Sequence, residues 1–178
     1  MKKSFGIFLL LSLFCLLIAC GGEDASKKVK KNQIDPEVVE ELKYYAEELD
    51  RISPIADEVY EKFEVLRGNP NNIIFDIALY ATLKTELIPQ YTNYVTELAG
   101  INLDTDELRE IYELDIEAAN LQHAAYIEML AVLEAQDHSM VNEINDMISE
   151  SSKLEREAMN KYNDLSKVAG LELKRKYK

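Results

Sequence analysis

Nine apolar side chains, Val38, Leu42, Tyr45, Leu49, Ile52, Ala56, Val59, Phe63 and Leu66, recur at steps of four and three residues without a break. A 3.5-residue period keeps one stripe of a helix facing a neighbouring helix, so it demands a partner helix to cover it. Asp35-Pro36 ahead of the ladder reads as an N-cap followed by proline in the first turn, and Gly68 behind Arg67 reads as the stop. Ser53-Pro54 falls inside the ladder, where a kink is expected rather than a domain boundary.

The remaining body repeats the pattern. "GNPNN" (Gly68 to Asn72) reads as a turn, and a second helix follows to about Ala99. Its inward face is expected to carry Ile73, Ile77, Tyr80, Leu87, Tyr91, Tyr94 and Leu98, with a kink at Pro89 and an end at Gly100. Asp104 with Glu107 resembles a capping box and is expected to open a third helix, its inner face holding Leu108, Ile111, Ala118, Ala125, Met129 and Val132. "AQDHS" (Ala135 to Ser139) breaks the chain before a fourth helix with Val141, Ile144, Ile148, Leu154, Ala158, Tyr162 and Leu165 inward, stopped by Gly170.

Four segments of about 30 residues, hence about 45 Å each, joined by short connections, predict an all-α fold. The arrangement expected is an antiparallel up-down-up-down four-helix bundle. Two splayed helical hairpins, or hairpins exchanged between two chains, are the alternative. Only six glycines and four prolines in 178 residues speak against a loop-rich β-sandwich.

The body is preceded by a different kind of segment. Lys2 and Lys3 stand before "FGIFLLLSLFCLLIA", Phe5 to Ala19, which is shorter than the roughly 20 residues a membrane-spanning helix needs. A basic start, a short apolar run and a small residue at its end fit a secretory leader. "LIAC", Leu17 to Cys20, resembles the lipobox of bacterial lipoproteins. The resemblance covers about the first 20 residues. It implies cleavage between Ala19 and Cys20, diacylglycerol on the Cys20 sulfur and acylation of the new N-terminus. It also implies residence on the outer membrane of a two-membrane host, since Gly21 is not the aspartate of inner-membrane retention, or otherwise on the outer face of the cytoplasmic membrane. An ordinary leader or an uncleaved anchor is the competing reading. The chain then divides into a removed leader (1–19), an acylated Cys20 with a Lys-rich tether (20–34), the bundle (35–170) and a basic tail (171–178).

Charge is unevenly placed. Between Asp35 and Gly170 there are 10 basic and 30 acidic residues, a net charge of −20. Lys27, Lys28, Lys30 and Lys31 lie in the tether, while Lys174, Arg175, Lys176 and Lys178 close the chain. In an up-down-up-down bundle both basic clusters meet at one end, the end that carries the lipid. There they would form a basic foot against an anionic membrane, each cation contributing on the order of 1 kcal/mol. An acidic body excludes general nucleic-acid binding, which needs clustered Lys and Arg on the working face.

Chemical motifs are sparse. Ferritin-like di-iron bundles need Glu-x-x-His on two helices, but Asn120 precedes His123 and Ala135 precedes His138 at that spacing. Phosphate-loop, G-x-S-x-G and H-E-x-x-H patterns do not occur, and Cys15 and Cys20 are the two cysteines, both in the leading segment. Neither catalysis nor a cofactor or metal is expected. Glu110, Glu113 and Glu117 share a helix face, which reads as a solubilising surface. The tyrosines are more suggestive: Tyr45, Tyr80, Tyr91, Tyr94, Tyr126 and Tyr162 fall on or beside inner faces, with Asp115, Asn120, Gln122 and Ser151 as candidate hydrogen-bond partners. The function expected is binding of a protein or peptide partner, basic if it meets the acidic body. The alternative is a small-ligand or divalent-metal carrier with a tyrosine-rich interior.

Overall fold

Asp35 Oδ1 accepts the N–H of Glu37 at 3.0 Å, so the first helix begins at the cap its sequence specifies. The structure is a computed structural model that describes residues 34–67 and 73–172, all within one compact unit, Gln33–Lys178. Helix α1 (Pro36–Arg67) passes unbroken through Pro54. Pro54 is exposed, and the carbonyl that loses its partner one turn earlier belongs to Asp50, also exposed and open to water. Seven of the nine ladder residues are buried, from Val38 to Phe63, while Ala56 and Leu66 are half-buried. The "GNPNN" turn lies outside the described residues.

The second helical run has three parts: α2 (Ile73–Thr82), a π-helical turn Leu83–Leu87, and α3 (Ile88–Ala99). Leu87, Tyr91 and Leu98 are buried as expected, but Ile77 is 65% exposed and Tyr80 points its hydroxyl to surface partners. The cause is the π turn, closed by the Ile88 N–H on the Leu83 carbonyl. Each added residue rotates the upstream helix by roughly 100°. Leu83 becomes the buried residue and Leu79 packs against the core, in place of Tyr80 and Ile77. Pro89 follows at once: it has no N–H to give to Thr85, and a widened turn removes the need for that bond.

Helix α4 (Asp106–Ala135) starts later than its sequence suggests. The N-cap is Thr105, not Asp104, and its side chain makes no cap bond. Instead the Glu41 carboxylate, on α1, accepts the backbone N–H groups of Asp104 and Thr105 and the Thr105 hydroxyl. The Asp104–Glu107 capping box is therefore not formed; a carboxylate 63 residues away in the chain holds the connection instead. At its other end α4 closes on Gln136 in the left-handed region (φ 52°), with the Asp137 N–H on the Val132 carbonyl.

A 3₁₀ turn (His138–Met140) leads into α5 (Val141–Val168). Val141 is exposed, contrary to the expected inner face, because the inward stripe of α5 begins at Ile144. Gly170, at φ 71°, ends the run: the Leu171 N–H reaches the Ser166 carbonyl at 2.9 Å, the Schellman closure that favours glycine. Gly100, by contrast, keeps right-handed angles at the end of α3.

The protein is all-helical, with four helical runs among the described residues. One core cluster joins Leu42, Tyr45 and Leu49 of α1 to Leu98, Ile101, Leu108, Ile111 and, on α5, Ala158 and Tyr162. A second joins Val59 and Phe63 to Leu83, Leu87, Tyr91 and Tyr126, and a third joins Ala125, Val132 and Ile144. Surface pairs link successive runs: Arg51 with Glu97, Lys62 with Glu86, Lys84 with Glu134, and Lys161 with Glu110. Their exposed geometry makes each a small contributor to stability.

Candidate functional site

Two places in the fold carry side chains that ordinary packing would not demand. The first is inside. Tyr45, fully buried on α1, donates its hydroxyl to Asp115 Oδ2 on α4 at 2.5 Å, and Asp115 is itself only 5% exposed. Tyr112 meets the Tyr45 ring edge-on with centroids 6.4 Å apart, and Tyr162 approaches it at the same distance from α5. A buried carboxylate needs donors to offset its lost hydration, and a phenol supplies one while its ring fills the core. One level further along, Tyr91 packs against Tyr94, Tyr126 and His123, and Phe63 packs against Tyr126 at 5.0 Å.

Burial sets the acid–base state of this second group. It pushes the Tyr91 hydroxyl well up, with Tyr94, Glu155 and Tyr126 adding to the shift. It raises Tyr126 as well, against the opposing hydrogen bond from Gln122. Both phenols stay protonated. His123 Nε2 lies 2.9 Å from Thr92 Oγ1, whose own proton goes to the Ile88 carbonyl, so the ring nitrogen is the donor. Burial lowers the His123 pKa and favours the neutral ring.

Ser151, also buried, donates to the Ala118 carbonyl at 2.8 Å. Of the partners anticipated for the tyrosines, Asp115 and Ser151 are buried and Gln122 is half-buried, but Asn120 is exposed. Tyr80 also leaves the interior, joining Lys84 and Glu134 in a surface triangle. Those two partners raise Lys84 to about 12, Tyr80 being the larger influence, and Lys84 in turn holds Glu134 low.

The second place is a depression of about 550 Å³ over the outer side of α4, near the end of α3. It is lined by Ala99, Tyr112, Ile116 and Leu121 together with the polar Glu113, Glu117 and Asn120. Asp115, although adjacent in sequence to this acidic set, turns inward to Tyr45, and Glu110 is occupied by Lys161. Among the described residues no group of His, Cys, Asp or Glu is arranged to hold a metal ion.

The residues singled out for anchoring, Ala19 and Cys20, and the basic sets Lys27, Lys28, Lys30, Lys31 and Lys174, Arg175, Lys176, Lys178, lie outside the described residues. Among the described residues no helix is long and apolar enough to cross a membrane. No protein-family model, no curated protein and no solved structure matches this chain.

Proposed function

We propose that the chain is a lipid-anchored protein that works outside the cytoplasm by binding a protein or peptide partner, without catalysing a reaction. The observation that carries this reading is Cys20 at the end of "LIAC", after a basic start and a 15-residue apolar run. Acylation gives the stable membrane attachment that a single weak contact would not. The test is metabolic labelling with a clickable fatty acid. The native chain should incorporate label and lose residues 1–19, while Cys20→Ser should do neither. Label retained by Cys20→Ser would refute the anchor.

The helices are read as an up-down-up-down bundle. Arg51 pairs with Glu97 and Lys62 with Glu86, while Thr92 meets His123 and Lys84 meets Glu134. Numbers rise along one run as they fall along the next, and Ser151–Ala118 with Lys161–Glu110 repeat the reversal. The ends of the body then lie together, and the eight basic residues of tether and tail form the foot on an anionic surface. Their replacement by Gln should weaken binding of the non-acylated Cys20→Ser chain to anionic liposomes at low salt.

Partner binding is favoured over a ligand carrier because the interior tyrosines are spent on one another and on Asp115, as their ring contacts describe. Crosslinking in native cells should recover a protein partner. Recovery of none, with a small molecule tightly held by the purified protein, would reverse the choice.

A further inference from the structure

Resting on the reading of a partner-binding protein, we infer that the docking face is the outer side of α4 where it adjoins α3, and that its occupant is a basic amphipathic helix. The outer side of α4 carries, between Glu117 and Glu134, a stripe without charge. Asn120, Ile127 and Ala131 recur along the outside of α4 at helical spacing, Ile127 being 45% exposed and Asn120 and Ala131 exposed, and half-buried Ile116, which also packs against the core, continues the row into the depression. A surface helix ordinarily places charge on this side.

The neighbouring edge of α3 is uncharged as well. Thr92 and Thr96 are exposed, yet their hydroxyls are already given to the Ile88 and Thr92 carbonyls, so covering them costs little. The stripe runs from the depression at Ile116 to Ala131, about 22 Å at 1.5 Å per residue, enough for four turns of a docked helix.

Charge selects the occupant. Glu113 and Glu117 stand at the depression end of the stripe, and neither has an ion-pair partner among the described residues. A second copy laid antiparallel would offer these carboxylates its Glu128 and a Glu134 already paired with Lys84, so it would bring them no free cation. A helix with apolar residues at i, i+3 or i+4, and i+7, flanked by Lys or Arg, meets the stripe and both carboxylates. Exposed Asn120, between Ile116 and Ile127 in the row, supplies a polar position of the kind that fixes register in paired helices.

The probe is a fluorescent 21-residue peptide of Leu heptads flanked by Lys, with a Glu-flanked counterpart, titrated by anisotropy into the full acylated chain in detergent micelles at physiological salt. The Lys peptide should bind and the Glu peptide should not. Ile127→Glu, and separately the pair Glu113→Lys with Glu117→Lys, should each weaken binding at least tenfold. Glu47→Lys with Glu61→Lys, an equal charge reversal on exposed positions of α1, should change it less than twofold, and circular dichroism should show all variants folded. Equal losses on both faces, or no effect of Ile127→Glu, would overturn the assignment. In cells, a photoreactive side chain at Asn120 should give a protein adduct. An adduct from position 47 alone would remove this face and leave the interaction reading standing, whereas none from either position would remove both.

Discussion

Replacing Tyr45 by Phe removes one oxygen from the most enclosed polar contact of the core, and its effect follows from three features. The hydroxyl lies 2.5 Å from Asp115 Oδ2, Tyr45 is fully buried, and Asp115 is 5% exposed, so water does not readily replace the lost donor. Hydrogen bonds to charged groups contribute about 1.5–3 kcal/mol, and the substitution leaves no new void around the ring. Tyr45→Phe should therefore cost about 2 kcal/mol, or roughly 4–8 °C in Tm for a domain of this size. Asp115→Asn keeps an acceptor for the phenol and should cost less than Asp115→Leu, which removes the acceptor at 2.5 Å. The double variant Tyr45→Phe with Asp115→Leu removes both partners and should be more stable than the sum of its parts by about 1–2 kcal/mol. Urea unfolding followed by far-UV circular dichroism measures all four. A Tyr45→Phe value within about 0.5 kcal/mol of the native protein, or strict additivity in the cycle, would refute the argument that this pair carries its own weight in the core.

Glu41→Ala should destabilise by about 1–2 kcal/mol and remove hydrogen-exchange protection from the Asp104 and Thr105 amides, which lose their acceptor. Gln136→Gly should stabilise by about 0.5–1 kcal/mol in urea unfolding, because an L side chain is strained at φ 52° whereas glycine is not. For His123 the folded pKa lies below the ordinary value of 6.5, so the unfolded chain takes up the proton first. Stability attributable to the neutral ring is full above that ordinary value and is lost as pH falls through it. The stability gap between the native protein and His123→Gln should accordingly shift against the native protein between pH 7.5 and pH 5, and a gap independent of pH would remove the effect.

What could be read in the sequence follows the range of the forces involved. The α1 ladder was legible because every residue from Val38 to Phe63 obeys one period, and burial kept all of them inward apart from small, half-buried Ala56. The phase of α2 was not legible. Ile77 and Tyr80 stand in register with Leu87 only if the helix is regular, and the π turn at Leu83–Leu87 breaks that register. Pro89 was the signal available, but proline announces a disturbed hydrogen-bond ladder without saying whether a kink or an extra residue resolves it. Asp115 could be placed near the core by its position on α4. Its pairing with Tyr45 joins residues 70 apart, and no local pattern encodes such a contact. The start of α4 failed for the same reason: Asp104 and Glu107 look self-sufficient as a capping box, yet Glu41 from another helix does the capping. Ile116, Ile127 and Ala131 stood off the expected inner face of α4, but an isolated apolar residue on a helix surface carries no sequence signal that sets it apart as part of a stripe.

The Glu41 clasp also bears on how the protein comes together. It is a latch whose tongue sits on the first helix and whose keeper is the first turn of α4. Without α1 in place, the Asp104 and Thr105 donors lack the acceptor that Glu41 provides, so the entry to α4 depends on a helix far from it in the chain. The latch does not distinguish its own first helix from that of a neighbour. Two molecules that released α1 together could each fasten the other, and the same three hydrogen bonds would hold an exchanged pair as well as they hold a single chain.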